Sequence, residues 1–224
     1  MTHSREEILH TIRQGLKGAS SKQNFAERNF PDEAQEIKQS TIGQRGNLKA
    51  QFISELNNVN TKVLEASDET EIAKSLLELV KEKELGSFSI WESQFLKKLK
   101  IKEELKNAGL KLVTAMNKNR IAKSDIGVTE VDYAIADTGT LVLLANKNQP
   151  RSVSLLPPTH LAIVRPENLV RNIHDLFVIL KGRLTEGEDI TSCMTFITGP
   201  SRTADIELNL TLGVHGPKEL YVII

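Results

Sequence analysis

The sequence predicts an α/β fold, in which a mixed, largely parallel sheet is flanked by helices. Two observations predict this class. Between residues 48 and 115, helical stripes of apolar residues alternate with short apolar runs, and the order strand, helix, strand, helix, strand is typical of a parallel sheet with right-handed crossovers. After residue 120, extended segments with short connections predominate, which favours additional antiparallel pairs.

Length and composition narrow the class of protein. The chain has 224 residues, which suits one α/β domain with a small appendage, and 29 Lys and Arg balance 29 Asp and Glu. With no net positive charge, no nucleic-acid partner is predicted. The single cysteine, Cys193, cannot supply the four thiolates that an iron–sulfur cluster usually takes. No apolar run of about 18 residues is present, so we predict a soluble, cytoplasmic chain without a transmembrane segment.

Residues 1–47 are predicted to form a helical N-terminal arm ahead of an α/β domain, residues 48–224. Apolar residues at positions 8, 9, 12 and 16 have helical spacing, which predicts a short amphipathic helix over residues 4–17. Residues 18–47 are polar apart from isolated phenylalanines and are predicted to be a flexible segment. Two alternatives stay open: a disordered leader, or an arm that docks on a second subunit or a partner.

The first half of the domain has helix and strand signals in alternation. A helical stripe begins at Leu48, and Asp68 followed by Glu71 forms a capping-box pattern before a second helix. A third helix is predicted over residues 91–109, ending at Gly109. The strands expected in this half are residues 61–66, 87–91 and 110–115.

The second half is predicted to be rich in strands. A helix is expected over residues 168–181, since Gly182 follows its apolar pattern. The strands expected in this half are residues 132–136, 140–146, 152–157, 160–166, 193–199 and 219–224.

The segment Asp137-Thr138-Gly139-Thr140 has the sequence of an aspartic-protease loop. That chemistry needs two carboxylates that share a proton, whereas this chain has one copy, with helices on both sides. We therefore predict a tight turn between strands, in which Gly139 permits close backbone approach and Thr138 and Thr140 offer hydroxyl donors. The turn either binds an anion or only bonds its own backbone. Asp137 is kept as a candidate catalytic carboxylate.

A second polar loop follows the predicted strand at residues 193–199. In this loop, Ser201, Arg202 and Thr203 offer hydroxyl and guanidinium donors for a carboxylate or phosphate. Loops at the carboxyl ends of strands are where α/β sheets bind ligands. Asp205 is a further candidate binding residue and Glu207 a candidate catalytic one. In the alternative, Arg202 pairs with Asp205 or with the aspartate of the first turn and only pins the loop.

A third turn, residues 213–218, carries His215 just before the last strand. His215 or Glu207 is a candidate to move a proton. His160 is the other histidine outside the helical and terminal segments, and for each of the two a simple turn hydrogen bond is the alternative to catalysis. Neither has metal-ligand spacing, so no metal site is predicted. The sequence has no Ser-His-Asp spacing, Walker A loop or GxGxxG motif, so whether the chain is an enzyme stays open.

Four motifs, in the order IADTGTLVLL, SLLPPTHLAIV, TGPSRTADIEL and GVHGPKELYVI, together resemble the LUD-domain family. The resemblance extends over roughly residues 125–224, and the order of helices and strands from about residue 48 also fits. The chain has Asp137 where family members usually have glutamate. The resemblance implies a fold akin to ribose-5-phosphate isomerase, CoA transferases and formyltetrahydrofolate cyclo-ligase.

The resemblance also implies a role in the oxidation of L-lactate to pyruvate. The implied partners are two iron–sulfur proteins, lactate utilization proteins of the A and B types, which would carry the clusters while this chain binds no cofactor. Three functions stay open: a component of that system with a small-anion pocket in the C-terminal loops, a non-catalytic assembly subunit, and a stand-alone small-molecule enzyme. The sequence leaves homo-oligomer formation open.

Overall fold

The structure is a computed structural model, which describes residues 6–7, 9–11, 13–14, 29–114, 118–191, 193–204 and 210–224. The helices are α1 Phe30–Asn58, α2 Glu69–Glu82, α3 Gln94–Lys98, α4 Ile101–Asn107, α5 Lys118–Ile121, α6 Ser152–Leu155 and α7 Ile173–Thr185. The strands are β1 Lys62–Leu64, β2 Ser87–Ile90, β3 Lys111–Leu112, β4 Ile126–Glu130, β5 Tyr133–Ile135, β6 Thr140–Leu144, β7 Thr159–Ile163, β8 Leu169–Val170, β9 Met194–Ile197, β10 Arg202–Ala204, β11 Leu210–Leu212 and β12 Glu219–Ile223.

Six strands form one sheet in the order β1-β12-β7-β4-β2-β3, and every neighbouring pair in it is parallel. All five residues of β7 are buried, as expected for a central strand covered on both faces. The predicted α/β class with a largely parallel sheet and flanking helices is therefore confirmed.

The remaining strands supply the antiparallel pairs. A four-stranded sheet has the order β8-β5-β6-β9, and β10 pairs with β11. β5 pairs antiparallel with β6, and β6 pairs antiparallel with β9. The turn predicted from the Asp-Thr-Gly segment is the β5–β6 connection.

The prediction for residues 30–47 was wrong, because this polar segment is the first half of the 29-residue helix α1. The buried positions of α1 are 34, 41, 48, 52 and 56. In the first half of the helix only one residue in every seven, or two turns, is therefore buried. With so few apolar positions, the sequence of this segment looks like that of a polar loop. Residues 18–28, the rest of the predicted flexible segment, lie outside the described residues. The described positions between 6 and 14 are helical. The predicted domain boundary at residue 48 stays a prediction.

Helix α1 packs closely on α7. A Cβ added at Gly182 of α7 would lie 2.9 Å from the Cβ of Ala34 and 3.1 Å from the carbonyl oxygen of Phe30. Further along α1, Leu48, Phe52 and Leu56 join the apolar cluster on one face of the parallel sheet. The C-terminal end of α1 is thereby fixed beside the C-terminal loops.

Two further predictions in the middle of the chain were wrong, and a central strand was missed. Residues 91–109 form two short helices, because Lys100 has a left-handed backbone with φ 52°. Residues 152–157 were expected to be a strand, but they contain helix α6. β4, which pairs with both β2 and β7, was not predicted. A Cβ at Gly127 of β4 would collide with the carbonyl of Val153, so glycine lets α6 lie directly on this strand.

The capping signals of two helices are seen in the structure. Asp68 accepts the backbone N–H groups of Thr70 and Glu71 at 2.7 and 2.9 Å, and Glu71 accepts the backbone N–H of Ser67 at 2.7 Å. Helix α7 differs from the predicted range 168–181: it begins after Asn172, whose side chain accepts the N–H of Asp175 at 2.9 Å, and Gly182 lies inside the helix, which ends at Thr185. Among the described residues, no helix is long and apolar enough to cross a membrane.

Candidate functional site

A cavity of about 270 Å³ lies between the parallel sheet and the C-terminal loops. The sheet and α6 contribute His160, Leu220, Ser154 and Leu155. β9 and the two loops contribute the remaining described lining residues, which are Thr195, Phe196, Ile197, Thr198, Gly199, Pro200, Ser201, Arg202, His215, Gly216 and Pro217.

Two of the predicted turns meet at this cavity and are bonded to each other. The backbone N–H of Ser201 donates to the carbonyl of Pro217 at 2.9 Å, and the N–H of Gly213 donates to the carbonyl of Ser201 at 3.0 Å. A Cβ at Gly216 would lie 3.2 Å from the Cβ of Ser201, so the loops pack closely. The loops that carry Arg202 and His215 thus form one wall.

The third predicted turn lies behind this wall. The hydroxyl of Thr140 is 2.8 Å from that of Thr138 and 2.8 Å from that of Thr198, and Thr198 lines the cavity. Asp137 is exposed, and no residue from 137 to 140 is among the described lining residues. The turn therefore adjoins the cavity through a chain of hydroxyl groups.

Gly139 explains why this turn packs where it does. Its φ is 60°, and an added Cβ would lie 2.8 Å from both the carbonyl carbon of Glu55 and the backbone nitrogen of Leu56. The position combines a left-handed backbone with direct contact to α1, and both features favour glycine. The turn is held against the C-terminal end of α1.

Arg202 lines the cavity and also contacts the C-terminal end of α1. Its Nη2 donates to the carbonyl oxygen of Val59, the residue that follows α1, whose last turn has no basic residue. A cation at this end is favoured by the helix dipole. Arg202 is exposed and has five N–H donors, so other donors are available for a ligand.

His160 lies at the buried end of the cavity. Its side chain is 0% exposed, its Nε2 is 2.9 Å from the hydroxyl of Thr129, and its Nδ1 is buried without a hydrogen-bond partner. Burial lowers the pKa of His160 to about 3, because desolvation disfavours the imidazolium ion. His160 is therefore neutral at physiological pH.

The other predicted site residues are placed less centrally. His215 is exposed and lines the cavity. Thr203 is half-buried in β10, paired with Thr211. Asp205 and Glu207 lie outside the described residues. The roles suggested for all these residues stay predictions.

The lining favours an anion over a cation. Its ionisable groups are Arg202, His160 and His215, and none of the described lining residues carries a carboxylate. Hydroxyl groups of Ser154, Ser201, Thr195 and Thr198 add neutral polar contacts. Such a lining can bind a small carboxylate through one guanidinium and several neutral groups.

The cavity is not at the end of the parallel sheet where we expected a ligand site. His160 and Leu220 are the second residues of β7 and β12, so the cavity lies at the amino ends of these strands. The loop after β9 follows a strand of the four-stranded mixed sheet instead. The rule that α/β proteins bind ligands at the carboxyl ends of parallel strands therefore does not explain the position of this cavity.

A larger cleft of about 700 Å³ does lie at the carboxyl ends of the parallel strands, and sequence reasoning missed it. It contains four glutamates and two cations. Arg165 pairs with Glu130 at 2.9 Å, and Lys98 pairs with Glu69 at 2.5 Å. The sequence signal for this cleft is that Glu130 ends β4 and Arg165 follows β7, the neighbouring strand. It could not be used because β4 had not been predicted.

In the part of the chain that the structure describes, no group of three or more His, Cys, Asp or Glu side chains could hold a metal ion. Cys193 is a half-buried free thiol. The prediction that this chain binds no cofactor is not tested by these observations.

The fold defines an α/β protein with a parallel sheet, an appended four-stranded mixed sheet and a cavity closed by C-terminal loops. The chain belongs to the LUD domain family, whose model matches residues 49–224.

Known proteins similar to this chain agree with that membership. Lactate utilization protein C of Bacillus licheniformis is 42% identical over 109 residues, which are 48% of this chain and 45% of the relative. Lactate utilization protein C of Bacillus subtilis is 38% identical over 109 residues, again 48% and 45%. The matches thus span about half of each chain.

The crystal structure of a DUF162 family protein from Deinococcus radiodurans is similar in fold, with a TM-score of 0.55. The similarity covers 80% of this chain and 96% of that chain at 20% identity. At this identity the likeness concerns the fold alone.

Proposed function

We propose that this chain is a component of an L-lactate utilisation system and that its C-terminal cavity binds a small anion of that pathway. The role is supported by the LUD domain match and by relatives named lactate utilization protein C. The proposal of an anion rests on the lining of the cavity. It includes Arg202 and His215, and none of its described residues has a carboxylate.

The size of the cavity supports a ligand of a few heavy atoms. Sites for drug-sized ligands occupy about 300–1,000 Å³, and this cavity occupies about 270 Å³. A three-carbon carboxylate such as L-lactate or pyruvate is within this range. Leu155 and Leu220 offer apolar walls for its methyl group.

We further propose that redox centres come from iron–sulfur partners of the A and B types. The chain has one cysteine, whereas an iron–sulfur cluster usually takes four thiolates. Lactate oxidation releases two electrons, which such partners would accept. We expect the complex in the cytoplasm, and fractionation of host cells tests that location.

Growth of the host tests the pathway. We expect that a host strain lacking this chain grows poorly on L-lactate as the sole carbon source, and that the wild-type chain restores growth. A tagged chain isolated gently from such cells should co-elute with two iron-containing proteins. Normal growth of the deletion strain on L-lactate would contradict the proposal. Co-elution of partners without anion binding by the chain would support a non-catalytic assembly subunit instead.

Arg202 tests the anion site. We expect Arg202→Ala to weaken pyruvate binding by about 1.5–3 kcal/mol, the range for hydrogen bonds to charged groups, as measured by calorimetry. Arg202→Lys keeps the charge without the planar fork and should lose less. If Arg202 only caps α1, both variants will bind pyruvate as the wild type does, and only the melting temperature will fall.

A further inference from the structure

We propose that the inner end of the C-terminal cavity holds an uncharged acceptor oxygen of the ligand, bound by the Nδ1–H of His160. The ligand class is then a small carboxylate with a second acceptor oxygen next to its charged end, as in a 2-oxo acid. This inference rests on the proposed function, since it places the acid in the same cavity.

The first observation is a buried polar atom without a partner, on a residue that lines the cavity. His160 is 0% exposed, and it lines the cavity. Its Nδ1 has no hydrogen-bond partner among the described atoms. Buried polar groups are nearly always paired, because an unpaired one has lost its hydration without gaining a replacement. A ligand atom that bonds Nδ1 would supply that replacement.

The neighbouring threonine indicates which ring nitrogen carries the proton. The Thr129 hydroxyl lies 2.9 Å from Nε2 of His160, and Thr129 is also 0% exposed. If Nε2 is the acceptor, the hydroxyl donates its proton to it and both atoms are satisfied. In the opposite tautomer the buried hydroxyl proton has no acceptor among the described atoms and is left unpaired. The favoured tautomer places the proton on Nδ1, which is then a donor towards the ligand.

The charge of the ring fits a neutral oxygen. Because burial holds the pKa of His160 near 3, Nδ1–H is a donor on an uncharged ring. Apart from His160, the basic side chains of the described lining are Arg202 and His215, and both are exposed and so lie at the open part of the cavity. The cavity thus changes from exposed basic groups to one buried neutral donor, which matches a carboxylate at the mouth and a carbonyl oxygen inside.

Ser154 does not compete with His160 for this role. Its hydroxyl is buried and donates to the carbonyl of Arg151 at 3.0 Å, so it offers only lone pairs to the cavity. The remaining inner wall includes Leu155 and Leu220. His160 is therefore the donor available to an acceptor oxygen at the inner end.

Calorimetry with two matched acids tests the inference. Pyruvate and propionate have the same carboxylate and three carbons, but only pyruvate has the carbonyl oxygen. We expect the wild-type chain to bind pyruvate about 3- to 10-fold more tightly than propionate, the ratio for one neutral hydrogen bond. His160→Phe removes the donor and keeps an aromatic ring, so this ratio should fall to about one.

Nitrogen NMR of histidine-labelled wild-type chain keeps the test independent of any variant. We expect the resonances of His160 to show the Nδ1-protonated tautomer, and we expect pyruvate, but not propionate, to shift the Nδ1 resonance. Equal affinity for the two acids, with an unchanged Nδ1 resonance, would overturn this inference and leave the proposed anion site standing. If neither acid binds, the anion site itself fails, and the inference fails with it.

Discussion

Gly139 shows how one residue fixes the turn that adjoins the cavity. We expect Gly139→Ala to lower the free energy of unfolding by about 2–4 kcal/mol, because the methyl group would overlap the backbone of α1 and the left-handed conformation would be strained. Gly187→Ala is the matched control, since Gly187 has φ 86° and nothing within 4 Å of its added Cβ. Urea unfolding should show a loss of only about 1–2 kcal/mol there. Equal losses at both positions would contradict the close contact.

Asp132 gives the stability of the fold a dependence on pH. Burial raises its pKa from 3.8 to about 6, and its carboxylate accepts the N–H of Leu144 at 2.7 Å. Because the folded-state pKa is above the unfolded value, its stabilising contribution is present below pH 3.8 and is lost as the pH rises through about 6.

Asp132→Asn removes the titration and keeps an acceptor for Leu144. We expect the stability of this variant relative to the wild type to increase from about pH 4 to pH 6, measured by urea unfolding across the range. The comparison must be relative, because His160 acts in the opposite direction: its unfolded form takes up a proton as the pH falls below 6.5. A constant difference between variant and wild type would show that Asp132 does not titrate in this window.

Among the residues that line the cavity, sequence reasoning named those that stand beside turn-forming glycine or proline. Ser201 and Arg202 follow Gly199 and Pro200, and His215 precedes Gly216. The role of His160 could not be read in this way. Its burial and its free Nδ1 depend on neighbouring strands and on Thr129, a partner 31 positions away in the chain.

At the scale of elements, the C-terminal part of α1 packs into the core beside the parallel sheet. Phe52 of α1 is 0% exposed and packs in the apolar cluster beside the sheet. We expect Phe52→Ala to lower the free energy of unfolding by about 3–5 kcal/mol through the cavity it leaves. Ile42 lies on the same helix and is 57% exposed, so Ile42→Ala should change it by less than about 0.5 kcal/mol. Similar effects of the two substitutions in urea unfolding would contradict the position of α1.

The sequence predicted elements well where the local pattern and the packing agree. Helix α2 has both a cap and an apolar stripe, and β12 has a continuous apolar run, so both were found. β4 was missed because Gly127 and Thr129 interrupt its apolar character. Those residues are needed for contact with α6 and for the bond to His160. The break between helices α3 and α4 at Lys100 was missed because no glycine or proline marks it in the sequence.

At the scale of the molecule, the long helix changes how the N-terminal region should be tested. Removal of residues 1–47 would take away the contacts of Phe30 and Ala34 with α7. We expect that truncation to destabilise the fold by at least about 2 kcal/mol, whereas removal of residues 1–28 should leave α1 intact. Thermal unfolding compares the two. Equal melting temperatures would support residues 1–47 as a separate arm, and only the shorter truncation is suited to partner assays.

The predicted fold class was correct at this scale because it depends on the alternation of helices and strands over many residues. The position of the cavity was not predictable in the same way. It depends on how α1, the sheet and two distant loops meet, and the hydrogen bond between Ser201 and Pro217 that joins the loops has no signal in the local sequence.

The central claim is that a small carboxylate binds in the C-terminal cavity, and NMR titration of backbone amides with pyruvate tests it most directly. We expect saturable shifts at Gly199, Ser201, Arg202 and Gly216, with little change at Glu92 and Phe95 in the acidic cleft. Shifts confined to the acidic cleft, or no saturable shift at any assigned amide, would contradict the claim.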